Sequence, residues 1–219
     1  MCVALVGVVG CGDAPDAAPG EEPGEVWELP PDPRSTWAAE VVRFTPGEGA
    51  GYGQDDVERA VLGAPSGRGD LVGSLDVLSL GVGGEVVLGF AEAIEDGPGV
   101  DLVVFENAFW VQGDKGRVFA ELGEVAVSED GEEWSVFPCV PDEPEPGPSW
   151  PGCAGWTPTA SFEPGAQEAL VWEESGGDGF DLEVVGLARA RYVRIRDLSE
   201  TGDAPTAGFD LDAVGAVRR

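Results

Sequence analysis

Residues 101–110 read D-L-V-V-F-E-N-A-F-W, and the unbroken apolar set Leu102, Val103, Val104 and Phe105 constrains the fold more than any other stretch. It follows the turn residues Asp96, Gly97, Pro98 and Gly99. An apolar run this short, with a turn before it and no polar position inside it, predicts a strand buried on both faces. Such a strand belongs at the centre of a sheet. Directly after it, Glu106 and Asn107 offer a carboxylate and an amide beside the large rings of Phe109 and Trp110. These four residues are the first candidate for a ligand site. The plainer alternative is that Asn107 makes a turn and Phe109 caps the core.

The remainder of residues 35–219 repeats this pattern of short runs between turns. Residues 40–44 alternate, with Val42 and Phe44 on one face. Asp55 and Asp56 are placed to cap one short helix with Val57, Val61 and Leu62 at helical spacing, ended by Gly63, Ala64 and Pro65. Residues 77–80 and 85–90, joined by Gly81, Val82, Gly83 and Gly84, predict a hairpin. A second hairpin is expected from residues 124–128 and 133–137 around Glu129, Asp130 and Gly131. Residues 169–172 are a further candidate strand. Residues 192–197 alternate Val193 and Ile195 against Arg194 and Arg196, and residues 209–217 close the domain. With 34 Gly and 18 Pro breaking the runs, about eight or nine strands predict an all-β domain. The expected form is a jelly-roll β-sandwich with Gly/Pro-rich loops and one short helix.

The first residues differ in kind. Residues 1–10 are a short apolar segment, well below the ~20 residues that span a bilayer, and run into Cys11. They read as a lipoprotein signal with Cys11 as the lipidated residue. No Lys or Arg precedes the run, a departure from a signal's basic start, so the natural start is expected a few residues upstream. Residues 11–34 are acidic and Pro-rich, with little apolar area to offset chain entropy, and predict a disordered tether. This organisation implies an exported chain, lipid-anchored to a bacterial membrane or cell surface. Membrane contact is then expected only through the lipid. Cys139 and Cys153 remain as a pair flanking a Pro-rich loop. A metal half-site would need a second pair or His, so a disulfide is expected, in keeping with an oxidising compartment.

Charge excludes whole classes of function. Asp and Glu number 42 against 12 Lys and Arg, a formal net charge of -30 with no His. Phosphate backbones and anionic headgroups are poor partners for such a chain, and nucleic acid is not expected. Cations are favoured instead. Without His, no imidazole base or metal ligand is available.

Several motifs in order carry a resemblance. A-V-L-G-A-P (60–65), S-L-G-V-G-G-E-V-V-L-G-F (79–90), V-A-V-S-E-D-G-E-E-W (125–134) and A-R-Y-V-R-I-R-D (190–197) together resemble the galactose-binding-like, discoidin-type β-sandwich. D-L-V-V-F-E-N-A-F, G-G-D-G-F-D-L-E-V-V-G-L and G-F-D-L-D-A-V resemble a group of bacterial cell-surface proteins sharing that sandwich. The resemblance implies a structural Ca²⁺ near the terminal strands. The residues supply hard oxygens for it: Asp210 and Asp212, two apart and expected on one strand face, with Asp181 and Asp197 as further ligands. In the plainer reading, Asp181 caps a turn and Asp197 pairs with Arg194 or Arg196.

Three functions fit these features. The preferred one is a surface-tethered, non-catalytic binding or adhesion module holding a glycan or surface protein against Phe109, Trp110 and the further rings Trp150 and Trp156. The second is a glycoside hydrolase working through Glu106 with Asp181 or Asp210. The third is a purely architectural surface domain.

Overall fold

The computed structural model describes residues 36–66, 70–142, 149–160 and 170–218. Residues 1–10, expected as a signal, Cys11, and residues 11–34, expected as a tether, lie outside the described residues. Two antiparallel sheets face each other. The larger runs in the order β1 (Glu40–Thr45), β3 (Glu85–Glu95), β11 (Arg189–Asp197), β7 (Gly123–Ser128) and β8 (Ser135–Val136), and β9 (Cys153–Ala154) also pairs with β7. The smaller runs β10 (Asp178–Phe180), β4 (Leu102–Glu106), β12 (Asp210–Ala216), β2 (Leu78–Ser79). A ribbon of β5 (Phe109–Trp110) and β6 (Val118–Phe119) leaves the end of β4. The fold is the all-β sandwich expected.

Periodicity explains the core. Val86 and Leu88 of β3, Val125 and Val127 of β7, and Val193 and Ile195 of β11 meet Leu102 and Val104 of β4 and Leu211 and Val214 of β12 in one buried cluster. The odd residues of β4, Val103 and Phe105, turn the other way and pack with Trp37, Leu170 and Ala213. The four-stranded sheet is therefore covered on both faces, and all five residues of β4 are buried. At ~1.5–3 kcal/mol for each large apolar side chain fully buried, this strand contributes much of the fold's stability. The glycine of G-F-D-L-D has a local reason. Gly208 has φ +74°, and a Cβ there would come within 2.8 Å of the Gly81 backbone and 2.9 Å of the Asp197 carboxyl carbon. Only glycine suits that approach.

Four expectations are corrected. Residues 77–90 are no hairpin: β2 pairs with β12 in one sheet and β3 with β1 and β11 in the other. The glycine-rich turn crosses between sheets because Leu78, Leu80, Val86 and Leu88 all enter the same cluster, which a flat hairpin would not permit. In β1 a register shift between Val41 and Arg43 leaves Val42 51% exposed and turns Val41 inward with Phe44. Of the strand expected at 169–172, residue 169 lies outside the described residues, Leu170 and Val171 are irregular, and Trp172 opens a helix, α2 (Trp172–Ser175), in addition to the expected α1 (Val57–Val61), whose Asp56 side chain accepts a hydrogen bond from the Arg59 amide. Arg194 and Arg196 pair with Glu85 and Glu124, not with Asp197.

Cys139 and Cys153 are joined, fourteen residues apart in sequence. Closing a loop of that length restricts the unfolded chain by about 3 kcal/mol. A Cys139→Ser, Cys153→Ser double variant is expected to lose about that much in guanidinium unfolding. An unchanged midpoint would show that the bridge carries no stability.

Candidate functional site

Strand directions sort the acidic residues into two ends of the sandwich. β4 finishes at Glu106, opposite Leu211 just inside the start of β12, while β11 finishes at Asp197, opposite Gly123 at the start of β7. Glu106, Asp210, Asp197 and the residues before β7 thus meet at one end. The start of β4 is the other end, where carboxylate oxygens of Asp96, Asp101 and Asp181 lie within 4.8 Å of one another. There Asp101 accepts hydrogen bonds from the amides of Gly97 (3.0 Å) and Leu182 (2.9 Å), and Asp181 from the amide of Glu183 (2.9 Å).

The ligand set Asp181, Asp197, Asp210 and Asp212 is therefore not brought together. Asp181 sits at the far end and caps a 3-10 turn, as its plainer reading held. Asp210 and Asp212 are divided by an irregularity of register between Leu211 and Ala213, which breaks the alternation assumed for a regular strand. Asp210 accepts from the Ser79 hydroxyl and lies 3.5 Å from the Asn107 amide nitrogen, whereas Asp212 accepts from the Ser66 amide at 2.8 Å. Asp197 is tied up in another way. Its two oxygens accept from the amides of Gly83 (2.9 Å), Ser199 (3.0 Å) and Phe209 (2.8 Å) and from the Ser199 hydroxyl (2.9 Å).

A cleft of ≈ 180 Å³ opens at the Glu106 end, lined by Tyr52, Ser74, Leu75, Val77, Asn107, Phe119, Glu121, Thr206 and Asp210. None of these is basic. Loop residues reach it through main-chain ties: the Tyr52 amide donates to the Pro205 carbonyl (3.2 Å), and the Asn107 side-chain oxygen accepts from the Ser74 amide. Phe119 is 43% exposed, and its ring stacks on Phe109 at 5.1 Å and 16°. Phe109 supports the wall from behind. Trp110 is half-buried in the same ribbon but does not line the cleft, and neither do Trp150 and Trp156. The Trp156 indole instead donates to the Cys153 carbonyl.

Glu106 is the unusual group. It shares the parity of Leu102 and Val104, so its side chain follows theirs into the space between the sheets. It is 1% exposed, and among the described residues neither carboxylate oxygen has a hydrogen-bond partner. The amides of Asn107 and Asp210 lie near enough to favour the ionised form, but neither meets hydrogen-bond geometry. Burial first, then the charges of Asp210 and Glu121, hold its pKa well above the usual carboxylate range. The same causes act on its neighbours. Burial, then Asp210 and Asp197, push Glu121 up to about 8. Asp210 is raised to about 6 by burial, with Asp197 adding repulsion and the Ser79 and Asn107 hydrogen bonds opposing it. Glu106, Glu121 and Asp210 thus form a set of carboxylates whose ionisation is penalised, and the negative charge of Asp197 adds to the repulsion on the latter two.

Sequence reasoning missed Glu121, Tyr52, Phe119 and Thr206. Glu121 lies in a loop with no local pattern to set it apart from the other acidic residues, and Tyr52 and Thr206 are far from β4 along the chain.

A scan against protein-family models and a search of curated proteins find no match to this chain. Among solved structures, one match is CBM32-3 from a family 31 glycoside hydrolase from Clostridium perfringens. The identity is 10%, the TM-score 0.35, and the match covers 85% of this chain and 94% of that one. It is too distant a likeness to transfer any property.

Proposed function

We propose that this chain is a non-catalytic binding module whose cleft beside Glu106 holds a calcium ion and a neutral glycan. The observation that carries the cation is Glu106 itself: a carboxylate fully buried, with both oxygens unpartnered, against Asp210 and Glu121. A buried charge without a partner is costly enough that proteins neutralise it with a proton, a counter-charge or a metal. The residues fit calcium, since the donors are carboxylates and an amide with no sulfur or imidazole among them, and hard oxygen ligands suit Ca²⁺. Glu121 and Asp210 would hold it from the cleft, with Asn107 steering Asp210, and its charge would compensate the Glu106 carboxylate buried behind them. Asp197 lends negative charge without leaving its backbone partners. When bound, the ion removes the repulsion among these groups.

Catalysis by the pairs considered is disfavoured by position. Asp181 is at the opposite end of β4 from Glu106, about 16 Å away at ~3.3 Å per strand residue, beyond the ~5–9.5 Å that glycoside hydrolysis needs. Glu106 and Asp210 are neighbours, but Glu106 does not line the cleft and has no route to a substrate there. Turnover of aryl glycosides that disappears in Glu106→Gln would reverse this reading. The disulfide supports an exported module, and we extend the proposal to anchoring through Cys11, tested by fatty-acid labelling that Cys11→Ser abolishes.

The test of the cation is direct. In chelator-treated protein, Glu106→Gln is expected to raise the melting temperature at pH 8 and to abolish the further rise that calcium gives the parent chain. Equal melting curves in calcium and in sodium of matched ionic strength would refute the site.

A further inference from the structure

We infer that the bound cation is itself the sugar-binding element, bridging the cleft to a pair of neighbouring hydroxyls on a neutral sugar; this rests on the calcium reading above. The protein supplies donors from one side only. Asp210 is engaged by Ser79, the Asn107 oxygen by the Ser74 amide, and Glu106 is sealed in the core, so Glu121 and Asp210 are the carboxylates that face the cleft. Calcium takes six to eight oxygens, more than these groups offer. The remainder must come from the open side, where a vicinal diol presents two oxygens at once and replaces two waters.

The walls are consistent with that ligand. Phe119 offers an exposed ring, held flat by Phe109, against which the apolar face of a pyranose can rest. Tyr52 and Thr206 bring hydroxyl-bearing side chains to the lining. At ≈ 180 Å³ the cleft is smaller than the ~300–1,000 Å³ of sites for drug-sized ligands, which suits one sugar ring rather than a long chain. An anionic sugar is disfavoured because no lining residue is basic and the chain carries a formal charge of -30.

The experiment measures retention of the full chain on agarose bearing mannose, galactose or fucose, in calcium and in EGTA. Melting curves under both conditions are read in parallel. Retention on at least one sugar is expected in calcium, falling at least about tenfold in EGTA, with competition by the free sugar but not by its isopropylidene derivative, whose diol is blocked. Glu121→Gln is expected to lose retention to the same degree while melting no lower than the parent in EGTA, which separates ligand loss from unfolding. Phe119→Ala should weaken retention yet keep the calcium-dependent rise in melting temperature. A calcium-dependent rise without retention on any of the three, or with equal retention in EGTA, overturns the bridging role and leaves the cation site standing. No calcium effect on melting overturns both.

Discussion

Stripped of divalent cations, the protein is expected to become less stable as pH rises from about 4 to 8, the reverse of a protein held by ordinary ion pairs. The groups responsible are Asp210 and Asp178, each raised from 3.8 to about 6, Glu121, raised from 4.5 to about 8, and Glu106, raised well above 4.5. Burial is the largest cause in all four. Between the unfolded and folded values, the folded state keeps a proton that the unfolded chain has released. Stability therefore falls with rising pH: the contribution is fully present below the unfolded pKa and lost as pH passes the folded one. A two-unit shift corresponds to about 3 kcal/mol. Glu121 is part-exposed and contributes less than its shift implies, because solvent screens it. Asp210 and Asp178 alone set the scale at about 5–6 kcal/mol across this window, and Glu106 adds to it.

Calcium should return the part that belongs to the cleft, about 2.7 kcal/mol at a hundredfold excess over its dissociation constant. Asp178 lies apart from that set, accepting from the amides of Gly155 and Trp156, so its share should persist with calcium present. Magnesium should return less, since it demands a stricter octahedral shell. Melting curves at unit pH intervals, after EGTA treatment and with matched sodium, measure this. A melting temperature that stays level or climbs between pH 5 and 8 without calcium would contradict the buried carboxylate set.

Asp197→Ala is expected to be the most damaging single substitution at this end of the molecule. The carboxylate is 3% exposed and receives the amides of Gly83, Ser199 and Phe209, which belong to the turn between sheets, the loop after β11 and the entry to β12. Removing it leaves those amides without acceptors, at about 1–3 kcal/mol each. Relief of repulsion on Glu121 and Asp210 offsets a fraction. A net loss of about 4 kcal/mol, or roughly 10 °C in melting temperature, should appear while the calcium-dependent rise is retained. If the rise vanished and stability in EGTA were unchanged, Asp197 would be a metal ligand, as its sequence position first suggested. Asp197→Asn, which keeps one acceptor oxygen, should fall between the two.

The same residues show how far local pattern reaches. Apolar runs, alternation and turn chemistry identify most strands, the helix capped by Asp56 and the second hairpin, because each depends on neighbours within about ten residues. The bridge between Cys139 and Cys153 was legible by elimination of other roles. Glu106 and Asn107 were singled out because they end a buried strand; Asn107 lines the cleft and Glu106 is buried beside it.

Pairing between distant segments was not legible. Whether residues 77–90 return on themselves or cross between sheets depends on which cluster Leu78 and Leu88 can fill, and a shift of one residue in β12 decides where Asp210 and Asp212 send their carboxylates. In a chain with 42 acidic residues, spacing cannot select the few whose charges meet. Local pattern and composition were enough to specify a disulfide-bridged, strongly acidic β-sandwich with a buried central strand ending in Glu106. The packing of the two sheets brings Glu121, some fifteen residues on, to Glu106 and Asp210 and carries Asp181 to the opposite end, which no local pattern shows because Coulomb repulsion and desolvation depend on distance and burial in space.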